Sequence, residues 1–373
     1  MVQPRKNIPI LLVVAVLALI VSTASTAALS YRLADHLTAW SPILDGLKGL
    51  SEDLKALSDE LKGFKELKTV EVSTYPILIY DDFGTLVKIE KEPKRIVSMA
   101  PSSTEILYAL GLSEKVIGVT RYCNYPSEVE EAKKGGRVEV VGGFVDISIE
   151  AVLSLEPDLV VAATTLQLKA VKALRDKGLT VIHLNPKNLD QVLGNVLLLG
   201  TATGSRESAK LLVDQLKSRI DKVISRVKDS PYKPRVYHEA WPDPLISVGP
   251  GSFIHDLIVM AGGVNIFADA TTSYPMVSPE AVITRNPEVI ILPEKHGETK
   301  YTKEEIKSRP GWSAIDAVKN DRIYIINPDI ISRPGPRLVD ALELIAKWLH
   351  PELGELTIEV TPLVALRSAA LHH

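Results

Sequence analysis

The sequence predicts an α/β protein of two similar lobes joined by one long helix and preceded by an N-terminal transmembrane helix. Three observations carry this. Short Val/Ile-rich runs alternate with helical stretches from Tyr75 onward. A block of sequence recurs, in the same order, in both halves of that region. Between the halves lies one charged amphipathic stretch with no breaker. At about 100–200 residues per domain, 373 residues hold two globular units and something extra. Hydrophobic residues make up 46% of the chain, enough for real cores, which excludes wholesale disorder. Lys and Arg number 43 against 46 Asp and Glu, so the basic excess of a nucleic-acid binder is missing. Cys123 is the single cysteine, which excludes an internal disulfide, a CxxC redox site and a cysteine-rich zinc site.

The N-terminal element comes first. No charged residue occurs from Asn7 to Tyr31, and Arg5 and Lys6 precede that stretch. Ile8 to Leu29 supplies 22 residues, and a membrane-spanning helix needs roughly 20. The competing reading is a signal peptide leaving at Ser25-Thr26-Ala27. Both send the rest of the chain across the membrane, because the basic flank stays inside. Residues 1–29 are therefore an anchor, giving a single-pass membrane protein that faces outward, or a cleaved leader, giving a secreted or periplasmic one. Next, Trp40, Ile43, Leu47, Leu50, Leu54, Leu57, Leu61 and Phe64 recur three and four apart, a heptad seam within residues 30–74. It reads as a stalk open to self-association, or as an amphipathic helix resting on a surface.

The lobes follow, at 75–190 and 233–352. Strands are expected at Arg95 to Met99, Lys115 to Val119, Asp158 to Ala162 and Thr180 to Leu184, then at Arg235 to His238, Glu288 to Leu292 and Arg322 to Ile326. Their apolar character suits strands covered on both faces. Ile147-Ser-Ile-Glu150-Ala-Val-Leu-Ser-Leu-Glu-Pro157-Asp-Leu-Val-Val matches Val277-Ser-Pro-Glu280-Ala-Val-Ile-Thr-Arg-Asn-Pro287-Glu-Val-Ile-Ile. Each half opens with a basic residue and a strand, has a helix ending in glycine (Gly111, then Gly262 and Gly263), and closes in Asn-Pro at Asn185 and Asn327. Within the connecting region 191–232, Ser205 to Asp229 carries apolar residues at helical spacing and ends before Pro231, about 38 Å of stiff connector. A tail occupies 353–373.

These residues together resemble the substrate-binding proteins of ABC importers for cobalamin, haem and ferric siderophores. The resemblance rests on Lys94 to Glu105, on the Ala109-Leu-Gly that follows, on both Glu-Ala-Val segments with their Pro-acidic ends, and on the joining helix. Asp81 to Val87 looks like the family's leading hairpin. The likeness runs from about Ile77 to His350 and implies two Rossmann-like lobes on a rigid helical backbone, the helical-backbone periplasmic-binding-protein fold, with a ligand cleft between them. The cobalamin-binding members are most similar, which implies ligand contacts at Tyr122, Phe144, Trp241 and Tyr274 and polar contacts at Asp329 and Arg333. The chain departs by carrying Phe144, Tyr274 and Ala163 where those proteins have tryptophans. The resemblance also implies a permease dimer as partner, met by one exposed acid per lobe, Glu150 and Glu280; helix-start acids favouring the dipole are the plainer reading.

A flat macrocycle with polar edges needs aromatic faces and a few hydrogen-bonding groups. In open α/β sheets such sites lie beyond the carboxyl ends of the strands, where the four aromatics are expected. The expected function is thus a solute receptor taking cobalamin or a related corrinoid, with no catalytic residue, cofactor or metal of its own; a haem or ferric-siderophore receptor is the alternative. A metal-dependent enzyme on a duplicated scaffold is the remote one. The histidines form no HxH or HxxxH pair, and there is no GxSxG elbow or Walker loop. His238 with Glu239 is read as a solvated strand-end pair, with ligation of haem iron or a metal as the alternative, and Glu105 as a structural helix-start acid.

Overall fold

The computed structural model describes residues 75–354 other than 297 and 298, together with seven exposed helical positions between 46 and 55. The expected anchor over 1–29, the heptad seam and the tail beyond 354 lie outside the described residues. Among the described residues no helix is long and apolar enough to cross a membrane. The chain divides into Met1–Ser73 and Thr74–His373, and the second unit holds both lobes.

The second unit starts with the expected hairpin. Strands β1 (Ile77–Tyr80) and β2 (Leu86–Ile89) pair antiparallel. Asp81 Oδ1 accepts from the amides of Phe83 and Thr85 and closes the turn. The first lobe then runs β3 (Ile96–Ser98), α1 (Pro101–Ala109), β4 (Val116–Val119), α2 (Ser127–Lys134), β5 (Glu139–Val140), α3 (Ile149–Ser154), β6 (Leu159–Ala163), α4 (Leu168–Asp176) and β7 (Val181–Leu184). Its five strands are parallel, in the order β5-β4-β3-β6-β7. Every residue of β3, β6 and β7 is buried, as parallel strands with helices on both faces require.

After α5 (Leu189–Ala202) and α6 (Arg206–Val227), the second lobe repeats the plan. It runs β8 (Arg235–Pro242), β9 (Leu245–Ser247), α7 (Phe253–Met260), β10 (Val264–Asn265), α8 (Pro279–Arg285), β11 (Val289–Pro293), the small hairpin β12 (Lys295–His296) and β13 (Thr299–Lys300), α9 (Lys303–Ser308), α10 (Asp316–Lys319) and β14 (Ile323–Ile326). Helices α11 (Pro328–Ile331) and α12 (Leu338–Leu349) close it. Its parallel order β10-β8-β11-β14 matches β4-β3-β6-β7. The added strand β9 folds back antiparallel on the end of β8.

The repeated sequence signature has a physical basis. In the first lobe Asp158 Oδ2 accepts from the amides of Lys94 and Arg95, while Arg95 clasps the carbonyls of Leu155 and Glu156. In the second, Glu288 Oε2 accepts from the amide of Arg235, and the Arg235 guanidinium clasps the carbonyl of Asn286. The acid after each proline and the base before each first strand thus fasten one strand start to the next. Burial pushes the Asp158 carboxyl up, but the Lys94 and Arg95 amides and the Lys91 ammonium together hold it below its ordinary value.

The connecting region holds two helices rather than one. They break at Gly204, whose φ of +77° favours glycine. The long helix is α6, close to the expected Ser205 to Asp229. Its buried face, Ala209, Leu212, Val213, Leu216, Ile220, Val223 and Val227, lies in one apolar core. That core also contains residues of α1, α5, α7 and α12, so it runs through both lobes. Two smaller cores lie behind the outer faces of the two sheets. Arg219 of α6 fixes the helix to the second lobe, donating to Asp340 at 2.6 Å and to both Glu343 oxygens at 2.7 and 2.8 Å.

A second tie crosses between the lobes. Glu105 is not in the first turn of α1, as its sequence position suggested; it is the fifth residue and is 1% exposed. Arg337 of the second lobe donates to both its oxygens, at 2.5 and 2.9 Å, and Arg333 stands 3.4 Å away. The Arg337 guanidinium also lies over the Tyr125 ring, 3.9 Å from its centroid. Burial pushes the Glu105 carboxyl up, and the two guanidiniums oppose that shift.

Removing one partner of such a pair leaves a buried charge uncompensated. Arg337→Met should therefore cost about 3–5 kcal/mol of unfolding free energy, and Glu105→Leu with Arg337→Met should cost clearly less than Arg337→Met alone. Urea denaturation of the three proteins checks this; additive losses would show that the pair is not coupled.

Candidate functional site

Between the lobes lies a cavity of about 480 Å³. The first lobe lines it with Ala163 to Leu166 after β6, Leu184 to Lys187 after β7, Asn195 of α5 and Ser102 of α1. The second lobe contributes Gly251 to Phe253 at the start of α7, Ser273 and Tyr274, and Ser332 and Pro334 after α11. The strand ends and helix starts of both sheets face this space, where ligands collect in open α/β folds.

Each wall is held by polar side chains behind it. Asp82, in the leading hairpin, accepts from the Asn185 amide at 2.6 Å and the Asn195 side chain at 2.9 Å. Phe83 stacks on His183 with ring centroids 4.0 Å apart, and His183 Nε2 meets the Thr164 carbonyl at 2.7 Å. Burial lowers the His183 pKa, so the ring sits there neutral. Gln167, 1% exposed, accepts from the Ala163 amide and donates to the carbonyls of Met99 and Phe144, tying three strand-end loops together. In the second lobe the chain from Ser273 to Val277 runs along β9, through Ser247 to Pro275, Gly249 to Ser273 and Val277 to Leu245 hydrogen bonds. Gly249 permits this, since a Cβ there would lie 2.4 Å from the Thr272 carbonyl oxygen. The outcome is Tyr274 presented on the cavity wall, half-exposed. The surrounding protein pushes its phenol above the ordinary value, so it is a neutral ring with one hydrogen-bonding tip.

The other expected ligand residues surround the cleft differently. Ala163 lines the cavity, as Tyr274 does. Tyr122 is half-exposed on the loop after β4, and Trp241 is exposed at the end of β8, its indole donating to the Asp243 carbonyl. Phe144 is partly buried, with its carbonyl on Gln167. None of these three lines the cavity. Asp329 and Arg333 pair with each other at 2.6 Å and reach across to the first lobe. There Asn124 donates to Asp329 at 2.8 Å, and Arg333 donates to Asn124 at 2.7 Å and to the Tyr122 carbonyl at 3.3 Å. The two charged side chains thus sit in the same inter-lobe network as Glu105 and Arg337.

Glu150 and Glu280 occupy matching places. Each is the second residue of its helix, two after a serine (Ser148 or Ser278) whose hydroxyl accepts the amide three residues on. Both are exposed. His238 and Glu239, in contrast, are not a solvated pair: they are 2% and 0% exposed. β8 runs on past them, so they lie inside the sheet, and Arg309 grips Glu239 with two hydrogen bonds of 2.6 and 2.8 Å. Among the described residues no group of three or more His, Cys, Asp or Glu is placed to hold a metal ion. Cys123 is buried against Thr104 and Thr120, and burial pushes its thiol up. Sequence reasoning missed Asn124, Tyr125, Gln167 and Arg337. They lie outside the repeat; the partners of Asn124, Tyr125 and Arg337 are more than two hundred residues away, and Gln167 joins loops 23 and 68 residues back, so no local pattern marks them.

Comparison with known proteins gives a consistent picture. The profile of the periplasmic binding protein family matches residues 96–330. An uncharacterised ABC transporter substrate-binding lipoprotein of Bacillus subtilis is 34% identical, over 76% of this chain and 88% of that protein. A vitamin B12-binding protein of Vibrio cholerae is 31% identical, over 69% of this chain and 89% of its own length. The apo structure of a periplasmic haem-binding protein from Roseiflexus is 25% identical with a TM-score of 0.63, covering 70% of this chain and 99% of that one. A profile match over most of both lobes, with a duplicated parallel fold and an inter-lobe cavity beneath it, identifies the chain as a member of the periplasmic binding protein family.

Proposed function

We propose that this chain is the extracytoplasmic solute receptor of an ABC importer and that it carries cobalamin or a related corrinoid in the cleft between its lobes. The observation that supports this most is the cavity itself, lined by both lobes and offering the Tyr274 ring among polar groups of which Lys187 alone is charged. Such a wall suits a large ring with amide-rich edges better than a bare ion. The likeness to a vitamin B12-binding protein points the same way. In this reading Tyr274 stacks on the ring, and Tyr122, Phe144 and Trp241 meet its parts that project beyond the cavity. Asp329 and Arg333 exchange inter-lobe hydrogen bonds for ligand ones at the rim. The receptor performs no chemistry on its cargo; it recognises, holds and releases it.

A haem receptor is the second reading, favoured by the likeness to a haem-binding protein and by a tyrosine in the cavity. Phenolate ligation to iron would have to offset the burial that raises the Tyr274 phenol. Absorbance titration of residues 75–354 with cobalamin, haem and ferric chelates separates the readings, and binding of haem but not cobalamin would overturn the corrinoid assignment. Delivery assigns Glu150 and Glu280 to the two halves of the permease dimer, one acid per lobe, as a duplicated surface meeting a two-fold partner. The N-terminal segment, as an anchor or a cleaved leader, places the lobes outside the membrane.

Two outcomes follow. Tyr274→Ala should weaken ligand binding by about 1–3 kcal/mol, the loss on truncating a central aromatic anchor, with little change in stability because half of the side chain is open. A sharp fall in melting temperature with unchanged affinity would place the ring in the core instead. Glu150→Ala with Glu280→Ala should leave ligand affinity unchanged but slow transport in vesicles, most visibly at low salt, where rim charges steer docking. Equal transport by wild type and the doubly substituted receptor at low salt would reduce both residues to helix-start acids.

A further inference from the structure

The cavity wall has a consistent electrostatic sign. Among the described residues that line it there is no carboxylate, and Lys187 is the one charged side chain. Two repeat-related helices open onto it from opposite lobes. No side chain caps α1, and Pro101 at its first position has no N–H, so the amides of Ser102 and Ser103 have no partner. Ser102 is 7% exposed and lines the cavity, and the hydroxyl of its neighbour Ser103 is buried with no hydrogen-bond partner. Across the cleft α7 starts at Phe253; Ser252 and Phe253 line the cavity, and the Ser252 hydroxyl is already used on the His255 amide and the Gly249 carbonyl. The amides of Phe253 and Ile254 are therefore also without partners. Asp190 and Asp256, in the first turns of α5 and α7, do not line the space.

Unsatisfied first-turn amides together with the aligned peptide dipoles make a helix start favourable for negative charge. Two such starts, the Ser102 hydroxyl and a lysine converge here, and no acid lines the cavity beside them. We propose that the cavity takes an anionic group of the ligand, a phosphate or a carboxylate, between the starts of α1 and α7, with Ser102 and Lys187 as its side-chain contacts. This deepens the receptor reading and rests on it for the ring: in a corrinoid the group is the phosphodiester of the nucleotide arm, and in a porphyrin it is a propionate.

The test uses the wild-type receptor, Lys187→Met and Ser102→Ala, each titrated calorimetrically with inorganic phosphate at constant ionic strength. Wild type should bind it, and Lys187→Met should weaken binding about tenfold, as loss of a charge-assisted hydrogen bond implies; no binding, or equal binding by all three, overturns the proposal. The second arm names the source of the group. Cobalamin should bind more tightly than cobinamide, which lacks the phosphate, and the gap should shrink in Lys187→Met; for a porphyrin carrier the same holds for haem against its dimethyl ester. Equal binding of cobalamin and cobinamide with no response to phosphate sinks the anion site and leaves the corrinoid reading standing. Phosphate binding lost in the variants, with neither corrinoid bound, keeps the anion site and sinks the corrinoid reading.

Discussion

The two lobes are held at a fixed spacing, and the cleft depends on that. The central apolar core passes from the first lobe through α5 and α6 into α7 and α12 without interruption. Separating the lobes would expose part of it, at about 25 cal/mol for each Å² of apolar surface. The buried Glu105–Arg337 pair adds a directional constraint to this non-directional one. An ion pair so placed does not have to add net stability to matter; its value is that only one lobe arrangement satisfies both charges.

A preformed cleft changes what ligand binding must accomplish. A receptor that closes by a large hinge motion spends binding free energy on that motion; under the proposed reading, walls held by a continuous core and an ion pair would avoid that cost. The side chains left adjustable are at the rim, where Asp329, Arg333 and Asn124 join the lobes through exposed hydrogen bonds. In the proposed reading they trade these partners for a ligand while Arg337 keeps hold of Glu105. In the proposed delivery role such rigidity would matter as well, since a fixed spacing between Glu150 and Glu280 would present one docking geometry to a permease.

Much of this was legible in the sequence because it is local and repeated. The Arg95 and Arg235 strands, the Pro157 and Pro287 turns with their acids, and the glycine stops at Gly111 and Gly262 all encode contacts within one lobe, and every strand expected from them is present. The long helix was legible from its apolar stripe. Contacts between the lobes were not, because Glu105 and Arg337 are joined only by folding and look like ordinary surface charges in isolation. His238 and Glu239 misled for the same reason: β8 extends to Pro242, and Arg309, seventy residues away, makes burial of the acid tolerable. Strands β5 and β10 have two residues each, too short to show any periodicity.

Fixed lobe spacing is the central claim, and one distance tests it. Cys123 is the single cysteine and is buried, so thiols introduced at the exposed Lys169 of α4 and Glu304 of α9 can carry spin labels, one on each lobe. Pulsed dipolar spectroscopy with and without cobalamin should give one narrow distance distribution, unchanged by ligand to within about 2 Å, as in pre-organised complexes. A broad distribution in the free receptor that sharpens and moves by several times that amount on binding would contradict the account.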